Sequence, residues 1–293
     1  MDGEFHIAFV SDGRYLPYVK VASASMQRSA SSTLCVHVIN TEDEALACRL
    51  RGVPKYHGSL AMYAKILLPE LLPDVDWVLY ADGDTLCVGD VCEVFKYCDD
   101  SKLIVGSRDP VGFNLGADRE TPWILKNGLK VGDKSNGYCC TGLMLMNLKA
   151  MRSEGVVNQC LDFVQRYGVA DLAEQTVLNC VCFGRIGLLP RQWGVFSMCP
   201  EGVDFRKSAI VHYPQDTPWR RVKANKLMHD LVCLWWWFQG KSTWGWRRAV
   251  FVIINACPWL VAWSPYLKSR LRPIRGLTRE ERRVILGRWK MRG

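Results

Sequence analysis

Two carboxylates stand one residue apart at the point where an apolar stretch of the chain ends. The stretch 77–80 is Trp-Val-Leu-Tyr, typical of a strand buried on both faces, and Asp82 and Asp84 follow it directly. In open α/β sheets the carboxyl ends of the strands are where ligands bind, and paired hard oxygen donors suit a divalent cation carrying phosphate oxygens. An Asp-Gly turn after a strand gives the same letters, so these residues alone leave both interpretations open.

The elements that must position this pair alternate along the chain. Strand-like runs at 6–10 and 35–39 are each followed by a helical pattern, at 17–28 and 41–50, and 59–72 also has the apolar spacing of a helix. Thr41 with Glu44 predicts a capping box at the start of the second helix. Strand, helix, strand, helix indicates a doubly wound α/β fold.

The composition is that of a globular protein whose last fifth differs from the rest. The chain has 293 residues, 49% of them hydrophobic and 23% charged, with a net charge of +9. From Gly240 onward 13 Lys and Arg stand against two acids, and eight of the 12 tryptophans lie between Trp235 and Trp289. We therefore predict a globular domain at 1–230 and a helical, basic, Trp-rich membrane-association region at 231–293.

This C-terminal region has the features of a membrane-surface segment. Its apolar run at 249–263 is 15 residues long, which as a helix gives about 22 Å against a hydrocarbon core of about 30 Å. Tryptophans and arginines suit the interface of an anionic bilayer. A tail helix packed on the core is the alternative, and nucleic-acid binding is not expected, because no recognised binding module accompanies the charge.

The cysteines and the N-terminus indicate a reducing compartment. The 13 cysteines are scattered through apolar runs without a C-x-x-C pair, which is typical of buried free thiols. No secretory signal precedes the first strand-like run. The expected location is the cytoplasm, with peripheral association at the cytosolic face of a membrane.

Six stretches occur in an order that resembles family 8 of the retaining nucleotide-sugar glycosyltransferases, which includes glycogenin and bacterial lipopolysaccharide galactosyl- and glucosyltransferases. Together they cover roughly residues 5–220. The stretches are F-V-S-D-G-R-Y (9–15), M-Y-A-K-I-L-L-P-E-L-L (62–72), V-L-Y-A-D-G-D-T-L-C-V-G-D (78–90), Y-C-C-T-G-L-M-L-M-N-L (138–148), A-E-Q-T-V-L-N (173–179) and H-Y-P-Q-D-T-P-W (212–219).

The resemblance implies a Rossmann-like GT-A fold, a UDP-sugar donor and a Mn²⁺ ion, with Mg²⁺ as a possible substitute. Asp82, Asp84 and His212 would bind the metal, and Gln175 and Glu174 would act at the reacting sugar. Asp109 is assigned to the acceptor. The positions assigned to the donor are Asp12, Tyr15, Lys65, Asp82, Gly83, Cys140, Thr141, Trp219 and Arg220.

Four of these assignments have a structural alternative. His212 also fits a hydrogen-bonded histidine at a strand end, Asp12 an Asp-Gly turn, and Lys65 a solvated helix residue. Asp171 and Glu174 have the spacing of a capping box, a role that competes with sugar binding for the Glu174 carboxylate.

Two positions depart from the family pattern. Cys140 stands where Asn is usual, and Thr217 stands where a diphosphate-binding Lys is usual. Arg220 or Arg221 is the expected replacement for that lysine, because guanidinium binds phosphate in a bidentate manner.

The resulting hypothesis is a retaining, Mn²⁺-dependent transferase. It would move a hexose, galactose or glucose, from a UDP-sugar to a membrane-presented glycan or glycolipid such as a lipopolysaccharide core. Two alternatives stand beside it: a membrane-bound, degenerate nucleotide-sugar-binding protein, and a self-glucosylating primer of the glycogenin kind.

Overall fold

A large mixed sheet forms the centre of the computed structural model. The strands are β1 (Phe5–Ser11), β2 (Leu34–Asn40), β3 (Trp77–Ala81), β5 (Ile104–Arg108), β6 (Cys139–Asn147) and β7 (Ile186–Leu188). They lie in the order β2-β1-β3-β6-β5-β7. The structure describes residues 4–55, 59–109, 117–132, 137–168, 171–197, 203–214, 217–218, 235 and 278–290.

Strand direction in this sheet changes at β6. β1 pairs in parallel with both β2 and β3, whereas β6 runs antiparallel to its two neighbours, β3 and β5. The carboxyl ends of β1 and β3 therefore lie at the same edge as the beginning of β6. We call this edge the site rim.

Helices cover both faces of the sheet, as the α/β pattern predicts. Apolar side chains of β1 and β3 pack with the first helix on one face, while the helices between 148 and 181 pack on the other. The helices are α1 (Leu16–Ser29), α2 (Glu44–Arg49), α3 (Ala61–Ala64), α4 (Leu68–Leu71), α5 (Ala117–Lys126), α6 (Leu148–Ser153), α7 (Val156–Tyr167), α8 (Glu174–Val181) and α9 (Arg279–Lys290).

The segment 59–72 is not the single helix that its apolar spacing predicts. A 3-10 turn at Lys65–Leu67 separates α3 from α4. Pro69 explains the break, because it has no N–H to donate to the carbonyl of Lys65 four residues earlier. The N–H of Leu68 donates to that carbonyl instead. The turn places Lys65 below the site rim.

The capping box predicted at Thr41 and Glu44 is wrong. Helix α2 begins at Glu44, and Asp43 is its N-cap, accepting hydrogen bonds from the N–H groups of Ala45 and Leu46. Asp is as good an N-cap as Thr, and here it stands one residue before the helix, where its carboxylate reaches both N–H groups.

A small second sheet lies beside the site rim. It consists of β4 (Thr85–Cys87), β9 (Ile210–His212) and β8 (Trp193–Phe196), in the order β4-β9-β8. β4 and β9 are antiparallel, and their register pairs Thr85 with His212. His212, which is 130 positions after Asp82 in the chain, is thereby brought beside the carboxylates that follow β3.

Two pieces of the C-terminal region are described, and both contact the rest of the fold. Trp235 and Ile285 are buried in one apolar cluster with Val21 of α1 and Leu86 of β4. The predicted boundary at 231 and most of the predicted membrane segment lie outside the described residues. In the part of the chain that is described, no helix has the length and apolar character needed to cross a membrane.

The thiols agree with the prediction of free cysteines. Ten cysteines fall in the described part of the chain, and all ten are free. Most are buried in the apolar layers, where burial raises the thiol pKa, for Cys87 to about 12.

Candidate functional site

The site rim brings together side chains from four separate strands. Asp82 and Asp84 follow β3, while Thr141 and Gly142 lie in the first half of β6. The N–H of Asp82 donates to the carbonyl of Gly142 at 2.8 Å, and the N–H of Tyr213 donates to the carbonyl of Asp84 at 2.9 Å. Backbone hydrogen bonds thus fix the turn after β3 against both sheets.

Asp82, Asp84 and His212 form a group with the geometry of a metal site, which we call the metal triad. One ligand atom from each lies within 4.8 Å of the others. His212 Nε2 is 3.3 Å from Asp84 Oδ1 and 3.8 Å from Asp82 Oδ2. The two carboxylates are partly open, at 27% and 16% side-chain exposure, while the imidazole is buried.

The donor atoms of the metal triad are left without ordinary partners. Among the described residues, Asp84 Oδ1 and both ring nitrogens of His212 are buried and have no hydrogen-bond partner. Buried polar atoms are normally paired, and a bound cation supplies the missing interaction. Carboxylate oxygens and one imidazole are acceptable ligands for Mn²⁺. The residues present therefore fit a divalent cation.

Gly142 keeps this space open. A Cβ atom at position 142 would collide with the His212 ring and would lie 2.8 Å from Asp82 Oδ2. Position 142 is therefore restricted to glycine by the space between two of the three ligands.

Beneath the metal triad lies a second group, the Lys65 cluster, formed by Lys65, Tyr80, Asp82, Thr141 and Glu174. Lys65 Nζ is 3.2 Å from Asp82 Oδ1 and 3.0 Å from Glu174 Oε1. It also donates to the carbonyl of Thr141 at 3.3 Å. Lys65 and Glu174 are each 1% exposed. The alternative of a solvated helix lysine is therefore wrong.

Tyr80 and Thr141 complete the Lys65 cluster. The Tyr80 hydroxyl donates to Asp82 Oδ1 at 2.6 Å, and its ring lies 4.4 Å from Lys65 Nζ. The Thr141 hydroxyl donates to Glu174 Oε1 at 3.2 Å. Asp82 belongs to both groups, with Oδ1 in the Lys65 cluster and Oδ2 facing His212.

The electrostatics follow from burial and opposite charge. Burial opposes the charge on Lys65, but the Asp82 and Glu174 carboxylates outweigh it and raise the Lys65 pKa well above its usual value. Burial also opposes the charge on Asp82, and Lys65 and His212 together bring its pKa below the usual value. For Glu174, burial wins over Lys65 and the pKa is raised.

Glu174 does not form the capping box that its spacing from Asp171 allows. Helix α8 begins at Glu174, its N-cap is Ala173, and no side chain caps it. The Glu174 carboxylate turns inward to Lys65 and Thr141 instead. Lys65 is buried and needs a charged partner, which the Glu174 carboxylate provides. Ala173 has φ 49° and ψ −121°, a strained backbone of the kind that occurs at functional sites.

Gln175 is held at the rim by both ends of its amide. Its Oε1 accepts from the N–H of Thr141 at 3.1 Å, and its Nε2 donates to the Tyr138 hydroxyl at 3.3 Å. The backbone N–H can only donate, so the orientation of the amide is fixed. Gln175 is half-buried, whereas its neighbour Glu174 is enclosed.

Asp12 and Tyr15 lie at the same rim, directly after β1. The Asp12 carboxylate accepts from Arg14 Nη2 at 2.7 Å, from the N–H of Tyr15 at 3.3 Å and from the Ser59 hydroxyl at 3.4 Å. The hydrogen bond from Arg14 lowers the Asp12 pKa. Asp12 therefore does form a turn, and Tyr15 is exposed beside it.

The remaining predicted residues divide into those near the site and those outside the described residues. Cys140 is buried beside His212. Burial opposes the charge on His212, but Asp84 and, after it, the Cys140 thiol raise the His212 pKa well above its usual value. Gly83 packs against Val19. Asp109 is buried, and its charge adds to the effect of burial in raising the pKa of the Tyr138 hydroxyl. Trp219 and Arg220 lie outside the described residues.

Several residues of the site escaped prediction from the sequence. Tyr80 is part of an apolar strand run, and Gly142 and Tyr138 stand in a stretch noted only for its likeness to the family. Glu120 is buried and accepts a hydrogen bond at 2.9 Å from the hydroxyl of Thr176, the residue that follows Gln175. The signal available for Tyr80 is its position two residues before Asp82, on the same face of the strand.

Comparison with known proteins places this geometry in a family. The family model described as Glycosyl transferase family 8 matches residues 53–223, more than half of the chain. A Haemophilus influenzae protein described as a glycosyltransferase is 23% identical over 230 residues, which cover 69% of this chain and 66% of that protein. Glycosyltransferase 8 domain-containing protein 1 of Danio rerio is 24% identical, covering 57% of this chain and 49% of that protein. The match thus spans less than two thirds of the length of either relative.

Solved structures agree on the fold. The galactosyltransferase LgtC, in complex with donor and acceptor sugar analogues, has a TM-score of 0.66 at 20% identity, covering 82% of this chain and 99% of that one. The bifunctional glycosyltransferase WbbM has a TM-score of 0.63 at 17% identity, covering 84% of this chain and 51% of that one. The predicted GT-A fold is confirmed by this likeness. With the family model matched across the rim from Lys65 to His212, the chain belongs to glycosyl transferase family 8.

Proposed function

We propose that this protein is a retaining hexosyltransferase that takes galactose or glucose from a UDP-sugar in the presence of Mn²⁺. Its acceptor would be a glycan or glycolipid presented at a membrane surface. The observation that carries the proposal is the metal triad, whose buried donor atoms lack partners and whose carboxylates open onto the rim beside Gln175.

Asp82, Asp84 and His212 would hold the cation. When bound, a divalent cation neutralises the diphosphate and makes UDP a better leaving group. Lys65 holds the Asp82 carboxylate in place from below, and Gly142 leaves room between the ligands. The resident charges thus orient the triad before any donor arrives.

Gln175 is the residue we assign to the reacting sugar. Its amide is fixed between Thr141 and Tyr138, and the oxygen that accepts from Thr141 keeps a second lone pair. Such a preorganised dipole can stabilise the positive charge that develops on the sugar during transfer.

Glu174 is better suited to positioning than to direct attack. Its Oε1 is used by Lys65 and Thr141, although the buried Oε2 has no hydrogen-bond partner among the described residues. We assign Glu174 to holding Lys65 and Thr141, with Oε2 as an acceptor for a sugar hydroxyl that reaches it.

Asp12 and Tyr15 would contact the uridine. Asp12 is anchored by Arg14 and Ser59, and the exposed Tyr15 ring offers a stacking surface at the end of β1. Thr217 leaves the diphosphate without the usual lysine of the family, so Arg220 is assigned to that contact.

A donor assay tests the proposal. The purified protein is given UDP-galactose or UDP-glucose with Mn²⁺ or Mg²⁺, UDP release is measured, and NMR identifies the anomer of the first product. We expect Mn²⁺-dependent release with retention of configuration. Asp84→Asn should reduce the rate by about 10²–10³-fold, by analogy with the loss of one electrostatic group from an active site.

The matched control is Asp76→Asn, which removes an exposed carboxylate paired with Lys149. It should leave the rate unchanged. Full Mn²⁺-dependent activity in Asp84→Asn would refute the metal triad. UDP binding without hydrolysis or transfer would favour a degenerate binding protein, and mass added to the protein itself would favour a self-glucosylating primer.

The membrane part of the proposal rests on the charge of the C-terminal region. We expect the protein to sediment with vesicles of anionic phospholipid and to be released by salt, which screens surface charge. Arg247, Arg248 and Lys268 replaced together by Gln should weaken binding while leaving Trp235 and α9 in place. Equal binding to neutral vesicles, or no effect of the substitutions, would contradict it.

A further inference from the structure

Two histidines and a cysteine meet on adjacent strands at the opposite end of the sheet from the rim. The parallel register of β1 and β2 pairs His6 with Cys35 and Ala8 with His37. Side chains two apart on a strand share a face, so Cys35 and His37 project together. His6 lies on that face too, since its Nδ1 is 3.1 Å from His37 Nε2.

The three side chains are already close enough to share an ion. Their ligand atoms lie within 4.8 Å of one another, and the two imidazole rings stack with centroids 5.4 Å apart at 22°. A tetrahedral Zn²⁺ with bonds of about 2.0–2.3 Å separates its ligand atoms by roughly 3.3–3.7 Å. Changes of side-chain torsion would bring the ligand atoms to these separations. The backbone need not move, because the two strands are already paired in register.

We propose that His6, Cys35 and His37 form a zinc site that ties the edge strand β2 to β1. Thiolate and imidazole ligands prefer Zn²⁺, whereas the two carboxylates of the metal triad suit Mn²⁺ or Mg²⁺. Three protein ligands leave one coordination position for water. The site is independent of the proposed transferase activity.

An acidic side chain lies near the three ligands. Glu4, one residue before β1, places its negative charge close enough to interact with His37. That charge complements the net positive charge of a zinc ion bound to one thiolate.

The site is remote from the rim along β1. His6 and Asp12 are six positions apart, about 20 Å at about 3.3 Å per residue of strand. All three side chains are half-buried, so an ion can reach them from solvent. We therefore expect metal here to affect stability and not the chemistry of transfer.

Cobalt and zinc titrations of the full chain test the inference. Co²⁺ bound to a thiolate gives a near-ultraviolet charge-transfer absorption, which we expect in the wild type and expect added Zn²⁺ to abolish. Cys35→Ser should remove the absorption, and His37→Ala should weaken Zn²⁺ binding at least about tenfold. Zn²⁺ should raise the Tm of the wild type, but not that of Cys35→Ser.

Two other thiols provide the controls. Cys140 lies beside His212 in the metal triad, and Cys48 is exposed on α2. Cys140→Ser and Cys48→Ser should keep the cobalt absorption. Its loss in Cys140→Ser, its persistence in Cys35→Ser or its absence from the wild type would overturn the proposal. If Cys35→Ser does not fold, His6→Ala and His37→Ala provide the same comparison through the Zn²⁺ affinity.

Discussion

The metal triad and the Lys65 cluster share one carboxylate, Asp82, yet they differ in how complete they are. In the Lys65 cluster, Nζ of Lys65 has two carboxylates, a carbonyl and a ring face around it. In the metal triad, three buried polar atoms have no hydrogen-bond partner among the described residues. The Lys65 cluster has one such atom in the described part of the chain, Glu174 Oε2. A group whose polar atoms are mostly paired stabilises the fold, whereas a group with several unpaired atoms is ready for a ligand. The difference separates residues that should control folding from residues that should control binding.

The largest loss of stability is expected from Lys65→Met. This change keeps the apolar stem but leaves the Asp82 and Glu174 carboxylates buried without their cation, which costs about 3–5 kcal/mol. Urea unfolding measures the loss. Lys149→Met is the control, because its pair with Asp76 is exposed and contributes less than about 1 kcal/mol. Equal losses in the two variants would remove the distinction between the groups.

Tyr80→Phe tests the Lys65 cluster more gently. It deletes the hydroxyl that donates to Asp82 at 2.6 Å and leaves Lys65 in place. A hydrogen bond to a charged group contributes about 1.5–3 kcal/mol, so the free energy of unfolding should fall by that amount. Tyr97→Phe, at a half-buried tyrosine of the 3-10 helix Val91–Tyr97, should shift it by less than about 0.5 kcal/mol. A Tyr80→Phe protein as stable as wild type would mean that Lys65 alone holds Asp82.

Gly142→Ala tests the metal triad. The added methyl group would meet His212 and Asp82, so overpacking of about 1–3 kcal/mol is expected together with weaker metal binding. The measurement is the Mn²⁺ concentration that gives half-maximal activity, which should rise at least about tenfold. Gly187→Ala on the edge strand β7 is the control, since its methyl group would meet Val105 and Lys102 at 3.3 Å or more and no residue of the metal triad. An unchanged Mn²⁺ requirement in Gly142→Ala would place the ion elsewhere.

The smallest effect is expected at Asp12, whose partner Arg14 is mostly exposed. Its folded-state pKa is lowered, so the pair adds stability above pH 3.8, and this contribution is lost as the pH falls through the folded-state pKa. Arg14→Ala should therefore cost less than about 1 kcal/mol at pH 7. The difference from wild type should vanish in acid. The measurement is a set of unfolding curves for both proteins from about pH 7 down to about pH 2. A difference in stability that grows in acid would contradict this assignment.

Periodicity predicts β1, β2 and β3, and the matched stretches predict Asp82, Asp84 and His212 as metal ligands, three residues that the structure brings together. The triad was within reach because its carboxylates directly follow a buried strand. His212 is harder, since its approach depends on the pairing of β4 with β9. That pairing joins segments more than 120 residues apart, and no local pattern encodes it.

The wrong predictions came from local spacing patterns that a tertiary contact or a proline overrides. Glu174 has the spacing of a capping residue, but a buried lysine from another segment takes its carboxylate. The segment 59–72 has the spacing of one helix, but Pro69 interrupts the hydrogen bonds. The role of Tyr80 depends on which side chains lie opposite it, and this is decided by packing and not by sequence spacing.

The antiparallel strand β6 has a consequence for how such enzymes can be altered. β5 ends and β6 begins as neighbours, with Arg108 opposite Cys139. Everything between them, from 109 to 138, is therefore an insertion whose two attachment points are fixed side by side by the sheet. Loop-closure entropy grows only slowly with length, so this insertion can be lengthened at small cost to the fold. A graft that keeps Tyr138 and Glu120, the partners of Gln175 and Thr176, would test whether the rest of the insertion sets the acceptor preference.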